Sequence, residues 1–390
     1  MKFIYGIGAA FLLFILTFSS PAQAQTQQLT IGHSFVIHSN VLDEDRTIMV
    51  SLPLNYQNAQ SKYPVLYLLD AEGNFNFTAG VMQFLASTNQ LPEIILIGIR
   101  NTNRNRDFTP VKVEGIAASG GANNFLDFLE KELMPYVDKN YPTESYRILV
   151  GHSLCGMFSF YTFFTRPQLF NSSVAVSPWL IHNNHYLMDY AKDHLSKITS
   201  LNKTVYFTAG SLEGSELLNT LDEFTELLKD SAPKDFNWKY KLMQNEDHET
   251  QLLAAIYDGL KYIYDGWAFP QNQLLTGGMD AIDKHYKSLS DKYGYIILPP
   301  ETLLNAAGYA FLQKHSLDEA IAIFKRNVEL YPKSPNVYDS LGEAYENNND
   351  LKNAKMNYDL AYSLGSSIDH PYTKVFKANL DRVWEKLNRN

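Results

Sequence analysis

Short apolar segments alternate with amphipathic ones from about residue 25 to residue 269, and this alternation constrains the fold more than any other feature of the sequence. The apolar segments are rich in valine, isoleucine, leucine and tyrosine, which is typical of strands buried on both faces. They lie at residues 63–69, 93–99, 147–150, 173–176 and 205–208. Between them, residues 124–133 place their apolar side chains on one helical stripe. The alternation predicts a mostly parallel sheet with helices on both faces, an α/β fold.

The first 24 residues have the three parts of a secretory signal peptide. Lys2 precedes an apolar run over residues 3–18, and the small-residue triplet Ala22-Gln23-Ala24 follows. An N-terminal membrane anchor is the alternative, but the run is shorter than the ~20 residues that span a bilayer. We therefore expect cleavage after Ala24, a periplasmic or secreted protein, and no stable membrane insertion after cleavage.

Charge and cysteine content narrow the class of protein further. The chain has 42 acidic and 33 basic residues, a formal net charge of −9, and no basic run. Such a surface offers little to a phosphate backbone, so we expect no nucleic-acid partner. Cys155 is the single cysteine, which excludes an internal disulfide and a lipid-carrying cysteine after the signal.

The last 90 residues contain a repeat with an offset of 34 residues. Ala307-Gly308 recurs as Leu341-Gly342, and Phe311, Ala320 and Phe324 recur as Tyr345, Ala354 and Tyr358. This period, with small residues where helices touch and aromatic residues between them, resembles the tetratricopeptide repeat. Chance similarity between amphipathic helices is the alternative. Two copies leave an apolar face, which the predicted helix at 374–387 would cap.

These features divide the chain into four parts. We predict a signal peptide at 1–24, an α/β domain at 25–269, a linker with one helix at 270–300, and an all-α domain at 301–390. The all-α domain would hold tetratricopeptide-like repeats at about 301–334 and 335–368 and then the capping helix. Such a domain offers a surface for a protein partner or for self-association.

Residues 147–156 carry the most informative motif of the chain. A buried strand leads into Gly151-His152-Ser153-Leu154-Cys155-Gly156, and a helix-like segment follows at 157–165. A turn this tight lifts the Ser153 hydroxyl clear of the sheet and aims the Leu154 N–H into the same space. The usual pattern is G-x-S-x-G, and here Cys155 occupies the position of the second glycine. Ser153 is therefore the candidate nucleophile.

A serine nucleophile needs a neutral histidine as base, and in an α/β-hydrolase that histidine follows both the serine and the acid in the chain. His248 lies in the loop after the strand-like segment 238–243 and before the helix-like segment 251–264. Ligands gather at such strand ends in open sheets. His248 is therefore the candidate base, and a solvated loop histidine is the alternative.

The acid that would orient His248 is less sharply defined. Glu213 follows the strand-like segment 205–208, 60 residues after Ser153 and 35 before His248, so both intervals have room for a helix and a strand. Asp222 and Glu216 are rivals, because a helix there could turn either of them inward. Asp247 adjoins the histidine, and neighbouring side chains usually diverge. Glu213 is the preferred acid, and a serine–histidine dyad stays open.

A tetrahedral intermediate also needs a second N–H donor, which usually comes from the loop after the third strand. Tyr67 to Glu72 is that loop, and the Glu72 N–H is the candidate, with its carboxylate turned away from the oxyanion. A plain turn at the strand end is the alternative.

At this point the residues resemble the putative-esterase family of the α/β-hydrolases, which includes periplasmic siderophore (enterobactin-type) esterases, feruloyl esterases, S-formylglutathione hydrolase and mycolyltransferases. The similarity covers about residues 30–265 and rests on segments 46–48, 63–70, 104–110, 151–154, 210–213 and 247–248. It implies that Ser153 is the nucleophile, His248 the base, Glu213 the acid, and Leu154 and Glu72 the oxyanion donors. Some members replace the acid by water or a backbone carbonyl. The family usually has glycine where this chain has Ala71 and Cys155.

Three more residues are candidates for substrate binding. Arginines in the 104–110 segment of siderophore esterases contact acidic or catecholate substrates, which implies the same for Arg104 or Arg106. An arginine–aspartate pair that pins the loop is the alternative. Trp179 is expected near the pocket mouth, where it would stack on an aromatic acyl group or pack against the protein.

The residues thus predict a serine ester hydrolase for small-molecule esters, siderophore-type esters among them, with no metal and no organic cofactor. An acyltransferase of the same fold is one alternative, because only the acceptor differs. A non-catalytic protein that binds a partner through its repeat domain is the other.

Overall fold

The computed structural model describes residues 30–54, 56 and 61–389. Residues 32–390 form one compact unit, and of the other unit, residues 1–31, only Thr30 and Ile31 are described. The predicted signal peptide lies outside the described residues. Among the helices of the described part, none combines the length and the apolar character needed to cross a bilayer.

The described chain contains one sheet of eight strands. Its strands are β1 (His33–Ser39), β2 (Glu44–Ser51), β3 (Tyr63–Leu68), β4 (Ile95–Ile99), β5 (Thr143–His152), β6 (Ser172–Val176), β7 (Lys203–Gly210) and β8 (Phe236–Met243). Their order is β1-β2-β4-β3-β5-β6-β7-β8. The β1–β2 and β2–β4 pairs are antiparallel, and all other pairs are parallel. The predicted mostly parallel α/β sheet is confirmed.

The central strands are buried on both faces, as their continuous apolar runs predict. Every residue of β3, β4 and β6 is buried. Successive side chains of β3 enter different cores, with Val65 and Tyr67 in one apolar cluster and Leu66 and Leu68 in the other. This period of two divides the core into two layers, one on each face of the sheet.

Helices cover both faces of this sheet. They are α1 (Ala71–Ser87), α2 (Arg104–Phe108), α3 (Ala122–Phe128), α4 (Met134–Asn140), α5 (Leu154–Thr165), α6 (His182–His194), α7 (Ser215–Ser231) and α8 (Leu252–Ile263). Helices α1 and α8 share the cluster of Leu66, whereas α3, α5 and α7 share that of Val65. A π-helical turn at Leu129–Leu133 joins α3 to α4, just before Pro135, which has no N–H to donate.

Six further helices form the all-helical C-terminal region of the described chain. They are α9 (Leu274–Tyr293), α10 (Glu301–Gln313), α11 (Leu317–Leu330), α12 (Pro335–Asn347), α13 (Leu351–Ser367) and α14 (Thr373–Arg389). Helix α9 packs against the α/β part, because its Ile282, Tyr286 and Leu289 lie in the same apolar cluster as Leu260 of α8.

The two predicted repeat copies make equivalent contacts between helices. A Cβ added at Gly308 would lie 2.5 Å from the Phe324 ring, and one added at Gly342 would lie 2.8 Å from the Tyr358 ring. Glycine thus lets α10 approach α11, and α12 approach α13, over an aromatic ring. The same pair of residue types meets in both copies, at the 34-residue offset of the sequence.

Candidate active site

Ser153 occupies a strained turn between β5 and α5. Its φ of 58° and ψ of −116° are rare for a residue with a side chain. The turn closes tightly, because a Cβ at Gly151 would lie 2.4 Å from the Cys155 carbonyl oxygen. The Ser153 N–H donates to the Val176 carbonyl at 2.9 Å, which fixes the turn to the neighbouring strand β6. Ser153 consequently lines two adjoining cavities at the carboxyl edge of the sheet.

The cysteine in place of the second glycine fits this turn. Close approach of α5 to the sheet falls instead on Gly156, where a Cβ would lie 3.0 Å from Pro178 Cα. The Cys155 side chain is fully buried, and this burial raises the pKa of its thiol well above the ordinary value. Cys155 therefore stays a protonated packing residue rather than a competing nucleophile.

His248 and Glu213 meet as predicted from the chain order. His248 Nδ1 lies 2.6 Å from Glu213 Oε2, which leaves Nε2 as the nitrogen for a substrate or for Ser153. His248 lines both of the cavities that Ser153 lines. Within the described part of the chain, no hydrogen bond joins the Ser153 hydroxyl to His248. Such bonds are often long before substrate binds, so the pair stays a candidate for proton transfer.

The Glu213 carboxylate is almost fully enclosed, with its side chain 3% exposed. Burial alone would raise its pKa, but hydrogen bonds from His248, Ser177, the Gly210 N–H and Gln251 outweigh burial and lower the pKa to about 2. The Gly210 N–H and Gln251 Nε2 both lie 2.7 Å from Oε1. Glu213 is therefore an ionised, fixed acceptor at neutral pH.

Two residues of this arrangement were not predicted from the sequence. Ser177 follows β6, has a φ of 42°, and donates its hydroxyl to Glu213 Oε2 at 2.6 Å, with His248 Nδ1 3.0 Å away. Gln251 is fully buried and accepts a hydrogen bond from the Thr208 hydroxyl at 2.7 Å. The position of Ser177 at a strand end was the one available signal, since ligand-facing residues collect there.

His152, next to the nucleophile, supports the His248 loop. Its Nε2–H donates to the His248 carbonyl at 2.9 Å, and the two ring centroids lie 4.5 Å apart. Burial, and then the neighbouring His248, lower the pKa of His152. A neutral His152 therefore holds the loop without adding a positive charge beside the candidate base.

The rival acids do not reach the histidine. The Glu216 side chain is 73% exposed and lies 3.8 Å from His185 Nε2. Asp222 is exposed on α7. Asp247 Oδ1 accepts the N–H groups of Glu249 and Thr250 at 2.9 and 2.8 Å, so it caps its own turn.

The two candidate oxyanion donors belong to the first turns of two helices. Leu154 is the first residue of α5 and Glu72 the second residue of α1, and N–H groups at these positions have no acceptor within their helix. Glu72 lines the second cavity together with Ser153. Its carboxylate accepts from Asn101 Nδ2 at 2.9 Å and from the Asn101 N–H at 3.3 Å. This side chain is thus turned toward the loop after β4.

The two cavities differ in their walls. The first, of about 650 Å³, is bordered by the apolar side chains Trp179, Ile181, Leu212 and Leu217. The Trp179 ring lies 5.6 Å from the His248 ring, edge to face, so it borders the cavity beside the candidate base. The second cavity, of about 360 Å³, is polar, and among the described residues of its wall Arg104 is the single arginine or lysine.

The two candidate arginines lie in different places. Arg104 lines the second cavity and binds Asp70 through both Nε and Nη2. Arg106 is paired with Glu44 at 2.6 and 2.9 Å and with Asp107 at 2.8 Å. Neither cavity includes Arg106 in its described wall. The structure therefore gives Arg106 the loop-pinning contacts that were the alternative to substrate binding.

His152, His248 and Glu249 are the residues of the described chain whose ligand atoms come close enough for a metal ion, within 4.8 Å of one another. Both histidines already use ring nitrogens in hydrogen bonds, His152 to the His248 carbonyl and His248 to Glu213.

Comparison with known proteins identifies relatives of the α/β part. A sequence model of the family described as "Putative esterase" matches residues 39–261. Ferri-bacillibactin esterase BesA of Bacillus subtilis is 29% identical over 249 residues, which are 56% of this chain and 86% of that protein. Siderophore triacetylfusarinine C esterase of Aspergillus fumigatus is 29% identical over 170 residues, which are 39% of this chain and 58% of that protein.

Solved structures show similar folds. The IroE-like serine hydrolase from Shewanella oneidensis superposes with a TM-score of 0.68 at 26% identity and covers 77% of this chain and 99% of its own. An uncharacterised protein from Capnocytophaga ochracea has a TM-score of 0.66 at 16% identity, covering 91% of this chain and 99% of its own. That second likeness concerns the fold alone, and its coverage extends over most of the chain.

Proposed function

The chain belongs to the putative esterase family, and we propose that it is a serine carboxylic-ester hydrolase that works through an acyl-enzyme. In this proposal Ser153 is the nucleophile, His248 the general base and acid, and Glu213 the carboxylate that orients His248. The N–H groups of Leu154 and Glu72 receive the oxyanion. The contact that carries the proposal is the 2.6 Å approach of His248 Nδ1 to Glu213 beside a serine held on a strained turn.

The reaction would run in two halves. His248 Nε2 takes the Ser153 proton as the hydroxyl oxygen attacks the ester carbonyl, and the carbonyl oxygen becomes an oxyanion. His248 then gives its proton to the leaving alcohol, and the acyl group stays on Ser153. Water, deprotonated by His248, attacks the acyl-enzyme, and His248 returns that proton to the Ser153 oxygen as the acid leaves. Each well-placed oxyanion donor contributes ~10²–10³-fold to such a rate.

Charge in the two cavities bears on the substrate. Arg104 is the one guanidinium in their described walls, and it is already paired with Asp70. Six carboxylates share these walls: Asp70, Glu72, Glu213, Glu216, Asp247 and Glu249. Like charges repel an anionic ester before it reaches Ser153. We therefore propose small-molecule esters that are neutral or cationic as substrates.

Siderophore-type esters are the substrates suggested by the named relatives. The charge argument divides this class, because catecholates leave bound ferric iron with a net negative charge, whereas hydroxamates neutralise it. A ferric trihydroxamate ester is therefore the better candidate. A screen of ferric trihydroxamate esters, catecholate trilactones, feruloyl esters and short p-nitrophenyl esters tests this. Turnover confined to short aliphatic esters would remove siderophores from the proposal.

Activity of the mature chain tests the proposed reaction class. We expect p-nitrophenyl ester hydrolysis by the wild type and a loss of at least ~10³-fold in kcat for Ser153→Ala. Product analysis in the presence of alcohol acceptors separates the acyltransferase alternative, since predominant ester exchange would favour transfer over hydrolysis. Full activity of Ser153→Ala would contradict the serine mechanism.

The domain organisation and the cellular location of the protein are also part of the proposal. We propose that residues 301–390 consist of two tetratricopeptide-like repeats with α14 as cap, supported by the matching Gly308–Phe324 and Gly342–Tyr358 contacts. We further propose export with cleavage after Ala24. N-terminal sequencing of the protein from a secreting host should begin at Gln25, and an N-terminus at Met1 would contradict export.

A further inference from the structure

We propose that Arg104 is a positioning residue that fixes the two oxyanion donors relative to each other, in place of a direct contact with substrate. The inference rests on the proposed ester hydrolysis, because it concerns the donors of that reaction. It changes the role that the sequence suggested for this arginine, since its guanidinium is committed to the protein on both sides of the nucleophile.

Arg104 connects the two segments that carry the donors. Its Nε and Nη2 donate to Asp70 Oδ1 and Oδ2 at 2.9 and 3.0 Å, a two-pronged pair at the end of β3. The same Nη2 donates to the His152 carbonyl at 3.1 Å, immediately before Ser153. One side chain therefore spans from the turn before Glu72 to the turn before Leu154.

The turn before Glu72 needs this support. Asp70 has φ 53° and ψ 39°, in the left-handed region that residues with a side chain rarely adopt. Its carboxylate makes no capping hydrogen bond to α1. It is held from outside, by Arg104 and by Asn101 Nδ2 at 2.6 Å.

The segment after β4 anchors the side chains on both sides of the Glu72 N–H. Asn101 binds the Asp70 carboxylate and also the Glu72 carboxylate at 2.9 Å, while Arg104 binds Asp70. The peptide that presents the Glu72 N–H thus lies between two anchored side chains. Because a donor displaced by about 1 Å loses much of its effect on a developing oxyanion, this anchoring bears on kcat more than on substrate binding.

A guanidinium that already binds a carboxylate through two N–H groups is also poorly suited to bind substrate. Its charge is already neutralised by Asp70, and the planar geometry that Arg prefers for a carboxylate is occupied. Lysine at this position would keep the positive charge but lose the pair of parallel N–H donors that binds Asp70. Arg104→Lys therefore separates charge from geometry.

The experiment compares wild type, Arg104→Ala, Arg104→Lys, Asp70→Asn and the Arg104→Ala/Asp70→Asn double variant on one p-nitrophenyl ester. Arg166→Lys is the matched control, because Arg166 is also ion-paired, with Asp127 and Glu130, but lies at the far end of α5. We expect kcat to fall ~10–100-fold in each of the three single variants at Arg104 and Asp70, with KM within about threefold, and to stay unchanged in Arg166→Lys. The double variant should lose little more than either single one, since both break the same contact.

Inhibitor binding supplies a readout that a structural role would not move. A boronic acid places an anionic oxygen in the oxyanion site. Its affinity should fall in parallel with kcat/KM in Arg104→Ala and Asp70→Asn. The affinity for the product carboxylic acid should change by less than about threefold. Thermal unfolding checks each variant, and Arg104→Lys and Asp70→Asn carry the test if Arg104→Ala fails to fold.

The outcomes are distinguishable. A raised KM with unchanged kcat in Arg104→Ala, or equal weakening of the boronic acid and the product acid, would make Arg104 a substrate contact and overturn the inference. Unchanged kcat in all three single variants would overturn it as well. If wild type itself hydrolyses no ester, the proposed function fails, and the inference falls with it.

Discussion

Replacing Glu213 by glutamine should lower both activity and stability, and the stability loss should depend on pH. The side chain keeps its shape but loses the charge that accepts hydrogen bonds from His248, Ser177, Gly210 and Gln251. In glutamine an NH₂ group replaces one carboxylate oxygen, and this group cannot accept the hydrogen bonds that the oxygen accepts in the wild type. The orientation of His248 is lost with it, so we expect kcat to fall ~10³–10⁴-fold.

The structure gives the size of the stability effect. The pKa of Glu213 falls from 4.5 in a free chain to about 2 in the folded protein. This difference corresponds to ~3 kcal/mol of folding free energy, since each pKa unit is worth about 1.4 kcal/mol. Because the folded pKa is the lower one, the contribution is complete above about pH 5 and is lost as pH falls toward 2. About 2 of the ~3 kcal/mol should be gone by pH 3.

Urea unfolding of wild type and Glu213→Gln at pH 6 and at pH 3 measures this directly. We expect a difference of ~3 kcal/mol at pH 6 that shrinks to ~1 kcal/mol at pH 3. Asp222→Asn is the matched control, because Asp222 was a rival acid and is exposed. It should change the free energy of unfolding by less than about 0.5 kcal/mol and leave kcat within twofold. A pH-independent difference, or an active Glu213→Gln enzyme, would show that Glu213 is not the ionised residue that orients His248.

Three further predictions concern the Ser177 hydroxyl, the packing at Gly308 and the charge of the substrate. Ser177→Ala removes one donor from the buried Glu213 carboxylate, so kcat should fall ~10-fold and stability by ~2 kcal/mol. Ser173→Ala, on the preceding strand β6, should change neither, and steady-state kinetics and urea unfolding measure both effects. Gly308→Ala places a methyl group 2.5 Å from the Phe324 ring and should cost ~1–3 kcal/mol by thermal unfolding, whereas Gly80→Ala, with open space around the new Cβ, should be neutral or slightly stabilising. Between isosteric esters, kcat/KM should be ~10-fold higher for the neutral one than for the anionic one at low salt, and the ratio should shrink as salt is added. An anionic ester hydrolysed equally well would contradict the charge argument.

Much of the fold could be predicted because the central strands are buried on both faces. Residues 63–69, 173–176 and 205–208 read as continuous apolar runs, and each lies in an observed strand, apart from Leu69 just beyond β3. The edge strand β1 could not be predicted this way. Its apolar residues Phe35, Val36 and Ile37 are consecutive, although Val36 is 62% exposed, so apolar character does not follow the alternating burial of this strand. Helix α1 was also missed, since Gly73 and Gly80 weaken its helical pattern.

The candidate site divides along similar lines. Chain order and the positions of the strand ends were enough to predict that Ser153, Glu213 and His248 lie at one edge of the sheet, because the carboxyl ends of parallel strands meet at that edge. The contacts of Ser177 and Gln251 depend on how loops after β6 and β8 meet, and a single hydroxyl or amide carries no pattern in the sequence.

The two arginines show a second limit. Arg104 and Arg106 stand two residues apart, and which of them faces a cavity depends on the short helix α2 and on its partners Asp70 and Glu44. Spacing alone gives both the same prediction. Their partners, 34 and 62 residues away in the chain, make the difference.

The most direct measurement is peptide mapping by mass spectrometry after treatment of the mature protein with a fluorophosphonate. We expect one adduct per chain, on the peptide that contains Ser153. The adduct should be absent in Ser153→Ala and should form much more slowly in Glu213→Gln. An unmodified Ser153 in a folded protein, or an adduct on another residue, would show that Ser153 is not the nucleophile.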